Sequence, residues 1–582
     1  MDNALYPPAR LAFLGDVGDN ADKVRCNELV GSLIERIERS ATESRSVTIV
    51  VGGHEQAVTW SELNRRAQIV AAELQSRSVK PGDHVAVLSP TSLDVVVAMQ
   101  AIWLAGAVVV ILPLPMRMAS LGDFVEATKT RIAAADCSDV VIAPLFGAFV
   151  TEDEGTLRHH DLAELMAAER SADDLVRPTY SSDDLAILQF TSGSTSEPKG
   201  VMLPNHMIEA NLDAMIEAAK IDLDTDVLVS WLPLYHDMGL VGCCVLPMAE
   251  GMDLVLGSPQ DFLGSPRSWM EWVSRYSGTL TAGPNFSYVL ASRGLRRADG
   301  DLDLSSLRLA LNGAEPVDPA CVRGFVEAGR PYGLRPGAAF PAFGMAELAI
   351  AGAFPEPMSG LNIDVIDRVA LEELGEAKPV PPTDVNAREM VKLGSAVPGL
   401  TFRIVDEHGQ ELPERKVGEL QIKGSSVTTG YYNKPEATAE LFDGAWLKSG
   451  DLGYLVDGQL VLCGRTKDLI IVGGRNIYPQ DIERPVGLLP GVRAGNVVAF
   501  SIEGRKGKEE IVVVAECRVE PTAELRVAVS DAALAAVGVP CRDVVFVKPS
   551  TLPKTSSGKL QRALAKQHYA DEQLQRLAIA EG

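Results

Sequence analysis

Five short clusters in this 582-residue chain carry residue types that could do chemistry together. The first is Thr191-Ser192-Gly193-Ser194-Thr195-Ser196-Glu197-Pro198-Lys199-Gly200. Its backbone N–H groups and the hydroxyls of Thr191, Ser192, Ser194, Thr195 and Ser196 can wrap a polyphosphate, and Lys199 adds a cation. The G-x-x-x-x-G-K-[ST] spacing of a Walker loop is absent, and a solvated Ser/Gly loop has the same composition. The second cluster, Ser230-Trp231-Leu232-Pro233-Leu234-Tyr235-His236-Asp237-Met238-Gly239-Leu240, sets a His–Asp pair in an apolar run. Such a histidine is by default a satisfied core residue. In the third, Phe343-Gly344-Met345-Ala346-Glu347, a carboxylate follows a glycine turn, where it would ordinarily be solvated. The fourth is Ser449-Gly450-Asp451 followed by Gly464-Arg465-Thr466-Lys467-Asp468. An acid there suits the vicinal hydroxyls of a ribose, or is simply a turn residue. The fifth places Lys554 and Lys559 in the loop Leu552-Pro553-Lys554-Thr555-Ser556-Ser557-Gly558-Lys559-Leu560-Gln561-Arg562, a composition also found in flexible tails.

The elements that must position these clusters follow from hydrophobic periodicity. Thr59 and Glu62 form a T-x-x-E capping box ahead of Leu63, Ala67, Val70, Ala71 and Leu74, which recur at helical spacing. Residues 84–88 read as a strand, 92–104 as a helix and 108–112 as a strand, and this β–α–β alternation indicates a mostly parallel, buried sheet. The apolar stretch 95–114 is broken by Gln100 and Pro113 and reads as a buried helix and strand rather than a membrane span. Residues 185–190 form a strand, a glycine-containing turn follows, and 205–219 form a helix. Residues 307–311 are a strand, and Asp318-Pro319 opens a helix. From about 391 the pattern becomes short and alternating, as at 401–405 and 419–422. Beyond 464, strands near 469–472, 497–500, 511–519 and 544–547 interleave with helices near 479–488 and 523–537, a compact α+β unit. Residues 354–392, rich in Pro, Glu and Asp, read as an inserted surface segment around a helical run at 365–374. The chain is 46% hydrophobic and 23% charged, too long for one core. Its net charge of −24 argues against a nucleic-acid partner and requires local donors for any anionic substrate. The eight cysteines form no C-x-x-C pair, which suits a reducing compartment. The first residues carry no signal-peptide pattern, so a cytoplasmic location is expected.

T-S-G-S-T-x-x-P-K-G resembles the phosphate loop of the adenylate-forming superfamily, which includes acyl-CoA synthetases, luciferases and peptide-synthetase adenylation domains. The other clusters are similar to that family's remaining motifs, in order, across essentially the whole chain. The resemblance implies an α/β fold: a large N-terminal domain, 1–466, with two parallel-rich αβαβα sheets and a small β-barrel-like subdomain from about 393, and a small, mobile α+β C-terminal domain, 467–582. It implies ATP and AMP binding by Thr191, Ser192, Gly193, Ser194, Thr195, Lys199, Asn312, Gly313, Ala314, Glu315, Phe343, Gly344, Met345, Ala346, Asp451 and Arg465. It makes Lys559 the catalytic lysine, puts His236 near the acyl carboxylate and α-phosphate, gives Mg²⁺ to Glu347 and puts the hinge at Lys467. Phe343 and Ala346 stand where many superfamily members have Tyr and Thr, and Ser196 where glycine is usual.

Several features resemble one branch, the fatty acyl-AMP ligases. These are S-W-L-P-x-Y-H-D-M-G-L, Gly283-Pro284-Asn285-Phe286, Asn312-Gly313-Ala314-Glu315-Pro316, Ala346, the 474–483 run and the extra segment 354–392, which in that branch is held to hinder the rotation that CoA chemistry needs. This implies ATP-dependent activation of a fatty acid to acyl-AMP and pyrophosphate. Transfer then follows to the phosphopantetheine of an acyl carrier protein, or of a carrier domain of a polyketide or peptide synthetase. Met238, Gly239, Asn285 and Phe286 are the acyl-binding candidates. An acyl-CoA ligase on the same fold is the alternative. A non-catalytic nucleotide- or acyl-binding protein would be expected to have lost Lys559, Glu347 or Asp451, and all three are present.

Overall fold

The computed structural model describes residues 32–115, 121–147, 157–191, 198–297, 300–504, 509–555 and 558–580. Two parallel-rich sheets form its larger part. The first runs in the order Arg158–Asp161, Asp139–Ile142, His84–Leu88, Val108–Ile111, Leu185–Phe190 and Gly200–Pro204. All neighbours are parallel except the last pair. His84–Leu88 is buried at every position and sits between Val108–Ile111 and Asp139–Ile142, which explains its continuous apolar run. The helix Leu93–Leu104, with Ser92 as N-cap, is buried at every position but Asp94. Among the described residues no helix is long and apolar enough to cross a membrane. Thr59 caps Trp60–Ser76 by accepting from the Glu62 N–H, but the Glu62 carboxylate turns outward to Arg65 and Arg66, so only half of the capping box carries its bond.

The second sheet runs Ala339–Pro341, Leu309–Asn312, Leu280–Gly283, Val227–Ser230, Asp253–Gly257, Ser46–Val51 and His54–Thr59, parallel up to the terminal hairpin. Parallel pairing puts the carboxyl ends of its first four strands on one edge. The chain there runs on into 231–239, 284–286, 313–318 and 343–347, which are the sequence clusters. This is the position where open α/β sheets expose a crevice to ligands.

A five-stranded antiparallel sheet follows: Leu400–Val405, Gly418–Gly424, Trp446–Val456, Phe442–Asp443 and Gln459–Arg465. Beyond it, Val492–Glu503, Glu509–Cys517 and Cys541–Val547 form a three-stranded sheet with apolar layers on both faces. Val497, Ala499, Ile511, Val513 and Ala515 pack against Ile482, Val486, Val529 and Ala533. The alternate residues Val498, Phe500, Val512 and Val514 pack against Leu552 and Ala565. The two-residue period is thus spent on two layers of helices.

Two expectations need correction. Gly200–Pro204 is a strand, paired antiparallel with Leu185–Phe190, where the sequence reads as turn; its glycine and proline ends disguise it. Residues 365–374 are not one helical run. Ile363–Asp367 is a strand paired with Ala387–Val391, and only Arg368–Leu374 is helical, capped by the Asp367 carboxylate. The alternation of Ile363, Val365 and Asp367 with Asp364 and Ile366 suits a strand. Nor is the segment superficial: Ile366, Leu371, Ala377 and Met390 share a core with Tyr454, Val456, Val461, Cys463 and Tyr478. We expect Leu371→Ala to cost about 2–5 kcal/mol in urea unfolding. A change below about 0.5 kcal/mol is what a loose surface insertion would give.

Candidate active site

The phosphate loop enters from Leu185–Phe190 and leaves into Gly200–Pro204. Thr191 N–H donates to Lys199 O at 3.1 Å, closing its neck. Ser192, Gly193, Ser194 and Thr195 lie outside the described residues. Lys199 Nζ stands 4.9 Å from the centre of the Tyr431 ring.

His236 and Asp237 lie where the strand Val227–Ser230 has ended and a wide, π-type turn, Met238–Val245, begins. His236 Nδ1 is 2.5 Å from Asp237 Oδ1, which also accepts from the Met238 N–H at 2.8 Å. Burial works against charge on Asp237, but His236 and Lys559 outweigh it and hold its carboxyl below the usual range. A Cβ on Gly239 would lie 2.2 Å from Pro233 O, so only glycine lets the turn fold back on its own approach. Trp231 stacks on Phe262 at 3.8 Å and meets Trp269 and Phe286 edge-on, so Phe286 belongs to an aromatic cluster beside the His–Asp turn.

Asn285 is bonded to the neighbouring turn. Its side chain donates to Pro316 O at 2.9 Å and accepts from the Asp318 N–H at 3.1 Å, while its backbone N–H donates to Glu315 Oε1 at 2.9 Å. It therefore braces the 312–318 turn. In that turn Ala314 holds a positive φ of 69°. The Asn312 side chain is 2% exposed, and neither atom of its amide has a hydrogen-bond partner among the described residues. A buried amide without partners is costly, and ligands are one way to satisfy it. Gly313 passes close to Ala342, where an added Cβ would lie 3.1 Å from the carbonyl oxygen.

The chain from Phe343 to Glu347 crosses beside this turn. Phe343 is buried and edge-on to Phe402, Gly344 has no room for a Cβ against Ile350 O, and the Met345 N–H donates to that same oxygen. Ala346 and Glu347 are buried, and the Tyr431 hydroxyl donates to Glu347 Oε1 at 2.8 Å. Burial pushes the Glu347 carboxyl up, with the Tyr431 bond acting against it. Asp451 faces Arg465 across the register of the five-stranded sheet, with Arg465 Nε 3.3 Å from Oδ1. Burial raises the Asp451 carboxyl, opposed by Arg465 and Lys467. Lys467 lies in the turn Thr466–Asp468, its ammonium disfavoured by burial and by Arg465.

Lys559 comes from the far end of the sequence into this group. Its loop is pinched shut: Lys559 N–H donates to Thr555 Oγ1 at 3.1 Å, and Thr555 N–H to Lys559 O at 2.8 Å. Gly558, at φ 87°, turns the loop past Phe286, 4.0 Å from where its Cβ would be. Burial lowers the Lys559 pKa. Asp237, Glu315 and Asp451 oppose that from within electrostatic reach, and Arg465 adds to it. Arg562 anchors the following helix by pairing with Asp468 at 2.6 Å and Glu483 at 2.9 Å. The structure therefore brings together Lys199, His236, Asp237, Glu315, Glu347, Asp451, Arg465, Lys467 and Lys559. The sequence marks Asp237 only as the partner in a His–Asp pair and does not mark Tyr431 at all. The available signal for Tyr431 was the run Gly430-Tyr431-Tyr432-Asn433-Lys434-Pro435, which carries no charge pattern that marks a site.

This arrangement, cations and carboxylates at the carboxyl edge of a parallel sheet, is that of a nucleotide-handling enzyme. Residues 37–432 match the family described as AMP-binding enzyme. The chain belongs to that family, and within it is similar to the fatty acyl-AMP ligases. It is 33% identical over 565 residues to the long-chain-fatty-acid–AMP ligase FadD26 of Mycobacterium bovis, covering 91% of this chain and 94% of that one. It is 41% identical over 513 residues to Mycobacterium tuberculosis Rv1013, provisionally named a ligase, covering 87% and 93%. A solved structure from work on the fatty acyl-adenylate ligases of E. coli and L. pneumophila superposes with a TM-score of 0.87 at 32% identity, covering 94% of this chain and 99% of that one.

Gly239→Ala forces its methyl onto Pro233 O and is expected to cost about 1–3 kcal/mol of stability and to lower activity by displacing His236. Thermal melting and a parallel activity assay on the purified variant would read both; an unaltered melting temperature would contradict the contact.

Proposed function

We propose that this chain activates a fatty acid as its acyl-adenylate and hands the acyl group to the phosphopantetheine thiol of an acyl carrier protein, the sulfur bonding the acyl carbon as its C–O bond to phosphate breaks and AMP leaves. The observation that carries the reading is the placement of the half-buried Lys559 within electrostatic reach of Asp237, Glu315 and Asp451. In the first step a carboxylate oxygen of the acid attacks the α-phosphorus of ATP. An O–P bond forms, the bridging P–O bond breaks, and pyrophosphate leaves with the electron pair. Both reactants are anions, so the step needs alignment and cations placed in advance. Lys559 serves the bridging region, and Lys199 with the loop amides serves the leaving phosphates. Asp451, backed by Arg465, accepts from the ribose hydroxyls. The Asn312 amide offers a donor and an acceptor to the adenine edge, with Phe343 alongside. His236 orients the acyl carboxylate, and Met238, Gly239 and Phe286 border the acyl chain.

Among the described residues no group of three or more His, Cys, Asp or Glu is arranged to cage a metal ion. One buried carboxylate, Glu347, held by Tyr431, suits Mg²⁺, which typically arrives on substrate phosphates and takes one or two protein carboxylates. There Mg²⁺ would neutralise phosphate charge.

The choice of a carrier protein over CoA rests on residues 354–392. Arg388 and Asp481 pair at 2.9 Å with side chains only 11% exposed, and the fully buried Glu372 carboxylate accepts from both Arg368 and Arg475. Swinging 467–582 about Lys467 would part Arg388 from Asp481 and Arg475 from Glu372, and breaking a buried pair costs about 3–5 kcal/mol. That supports a C-terminal domain restrained against the rotation of CoA ligation. The described cysteines are free thiols, which supports a cytoplasmic setting.

Purified protein given ATP, Mg²⁺, a long-chain acid and CoA should accumulate acyl-AMP; rapid acyl-CoA formation would favour the CoA ligase instead. Lys559→Ala is expected to abolish acid-dependent ATP–pyrophosphate exchange while leaving ATP binding within a fewfold. Because burial lowers the Lys559 pKa, its cation is lost at a lower pH than that of a solvated lysine. The alkaline limb of kcat/KM should therefore fall below the ordinary lysine range. A limb at or above that range would remove Lys559 from the step.

A further inference from the structure

We infer that Tyr431 is a positioning residue that holds the Lys199 ammonium and the Glu347 carboxylate in one frame for the phosphate-bearing end of the nucleotide. The inference rests on the adenylating reading above and concerns a residue outside the five sequence clusters.

The backbone comes first. Residues 428–432 add themselves to the free edge of Gly200–Pro204, the strand that begins immediately after Lys199. The Met202 N–H donates to Gly430 O at 3.1 Å, and the Tyr432 N–H to Gly200 O at 2.9 Å. Val201 and Tyr431 pair antiparallel, and Thr428 Oγ1 donates to Met202 O at 2.7 Å. The same short segment is tied to the other partner, because the Thr428 N–H donates to Glu347 O at 2.8 Å. The exit of the phosphate loop and the Glu347 turn are therefore bonded to one stretch of five residues.

The side chain repeats the connection at the atoms that matter. The Tyr431 hydroxyl donates to Glu347 Oε1 at 2.8 Å, and its ring lies under Lys199 Nζ at 4.9 Å. Tyr431 is 9% exposed and Glu347 8%, so the hydroxyl–carboxylate contact is made out of bulk water, and Lys199 is half-buried over the ring. A tyrosine is rigid from Cβ to hydroxyl, so the ring face and the O–H fix the cation and the carboxylate at a set separation. Hydrogen bonds to charged groups and desolvated cation–π contacts are each strong enough to hold such a geometry. A residue that only filled space here would need neither the hydroxyl nor the face.

The test uses full-length wild type, Tyr431→Phe and Tyr431→Leu. Calorimetry measures binding of α,β-methylene-ATP with Mg²⁺ and, separately, of AMP, which lacks the outer phosphates. Tyr431→Phe, which keeps the ring, is expected to weaken the ATP analogue about tenfold and AMP by less than twofold. Tyr431→Leu should weaken the analogue further, again sparing AMP. Equal weakening of both ligands, or no change in either, overturns the positioning role. Acid-dependent exchange by wild type is run alongside. Its absence would sink the adenylating reading whatever the variants bind, whereas exchange with unaltered analogue binding in Tyr431→Phe sinks only the inference about Tyr431.

Discussion

A chain of net charge −24 that belongs to a nucleotide-binding family has to collect cations against its own field. It does so by bringing Lys199, the neighbours Arg465 and Lys467, and Lys559 from three distant stretches into one place and interleaving them with Asp237, Glu315, Glu347 and Asp451. Neither sign is stable there alone. Burial disfavours the charged forms of Lys467, Lys559 and the four carboxyls, and at Asp237, Glu315, Asp451 and Lys559 neighbours of the opposite sign act against it. The parallel sheet that delivers four chain segments to one edge and the small sheet that carries Asp451 opposite Arg465 answer to that requirement. So does the pinched loop that presents Lys559.

Much of the fold was legible because local and global preferences agree. The strands 84–88 and 185–190 and the helix 523–537 appear at the bounds their periodicity suggests, since continuous apolar runs and clear caps leave little choice. The 363–367 strand is hidden because its two aspartates, Asp364 and Asp367, stand three apart, a helical spacing, and a true helix follows directly. Its partner, 387–391, lies beyond a proline-rich stretch that no local pattern bridges. The five clusters were legible for a different reason: each is contiguous, and its residue types are set by chemistry rather than by packing.

The rest of the site was hidden by distance along the chain. Tyr431 and Glu347 are 84 residues apart, and Arg475 and Glu372 are 103 apart. Nothing near either tyrosine or arginine marks its partner. Asn285 stands in a G-P-N-F run, where family analogy suggests an acyl contact and says nothing of a bracing role. Its amide is committed to the 312–318 turn, which only the folded chain brings alongside.

Arg562 lies three residues beyond Lys559 and grips two separate parts of the C-terminal unit, the Thr466–Asp468 turn and the helix Pro479–Gly487. The Glu483 carboxylate it holds also accepts from the Ala499 N–H in the sheet. The helix that follows the Lys559 loop is thus fixed at its first residue to a turn, a helix and a sheet at once. The place of the ammonium is thereby set from behind, by a guanidinium and two carboxylates at the foot of its own loop.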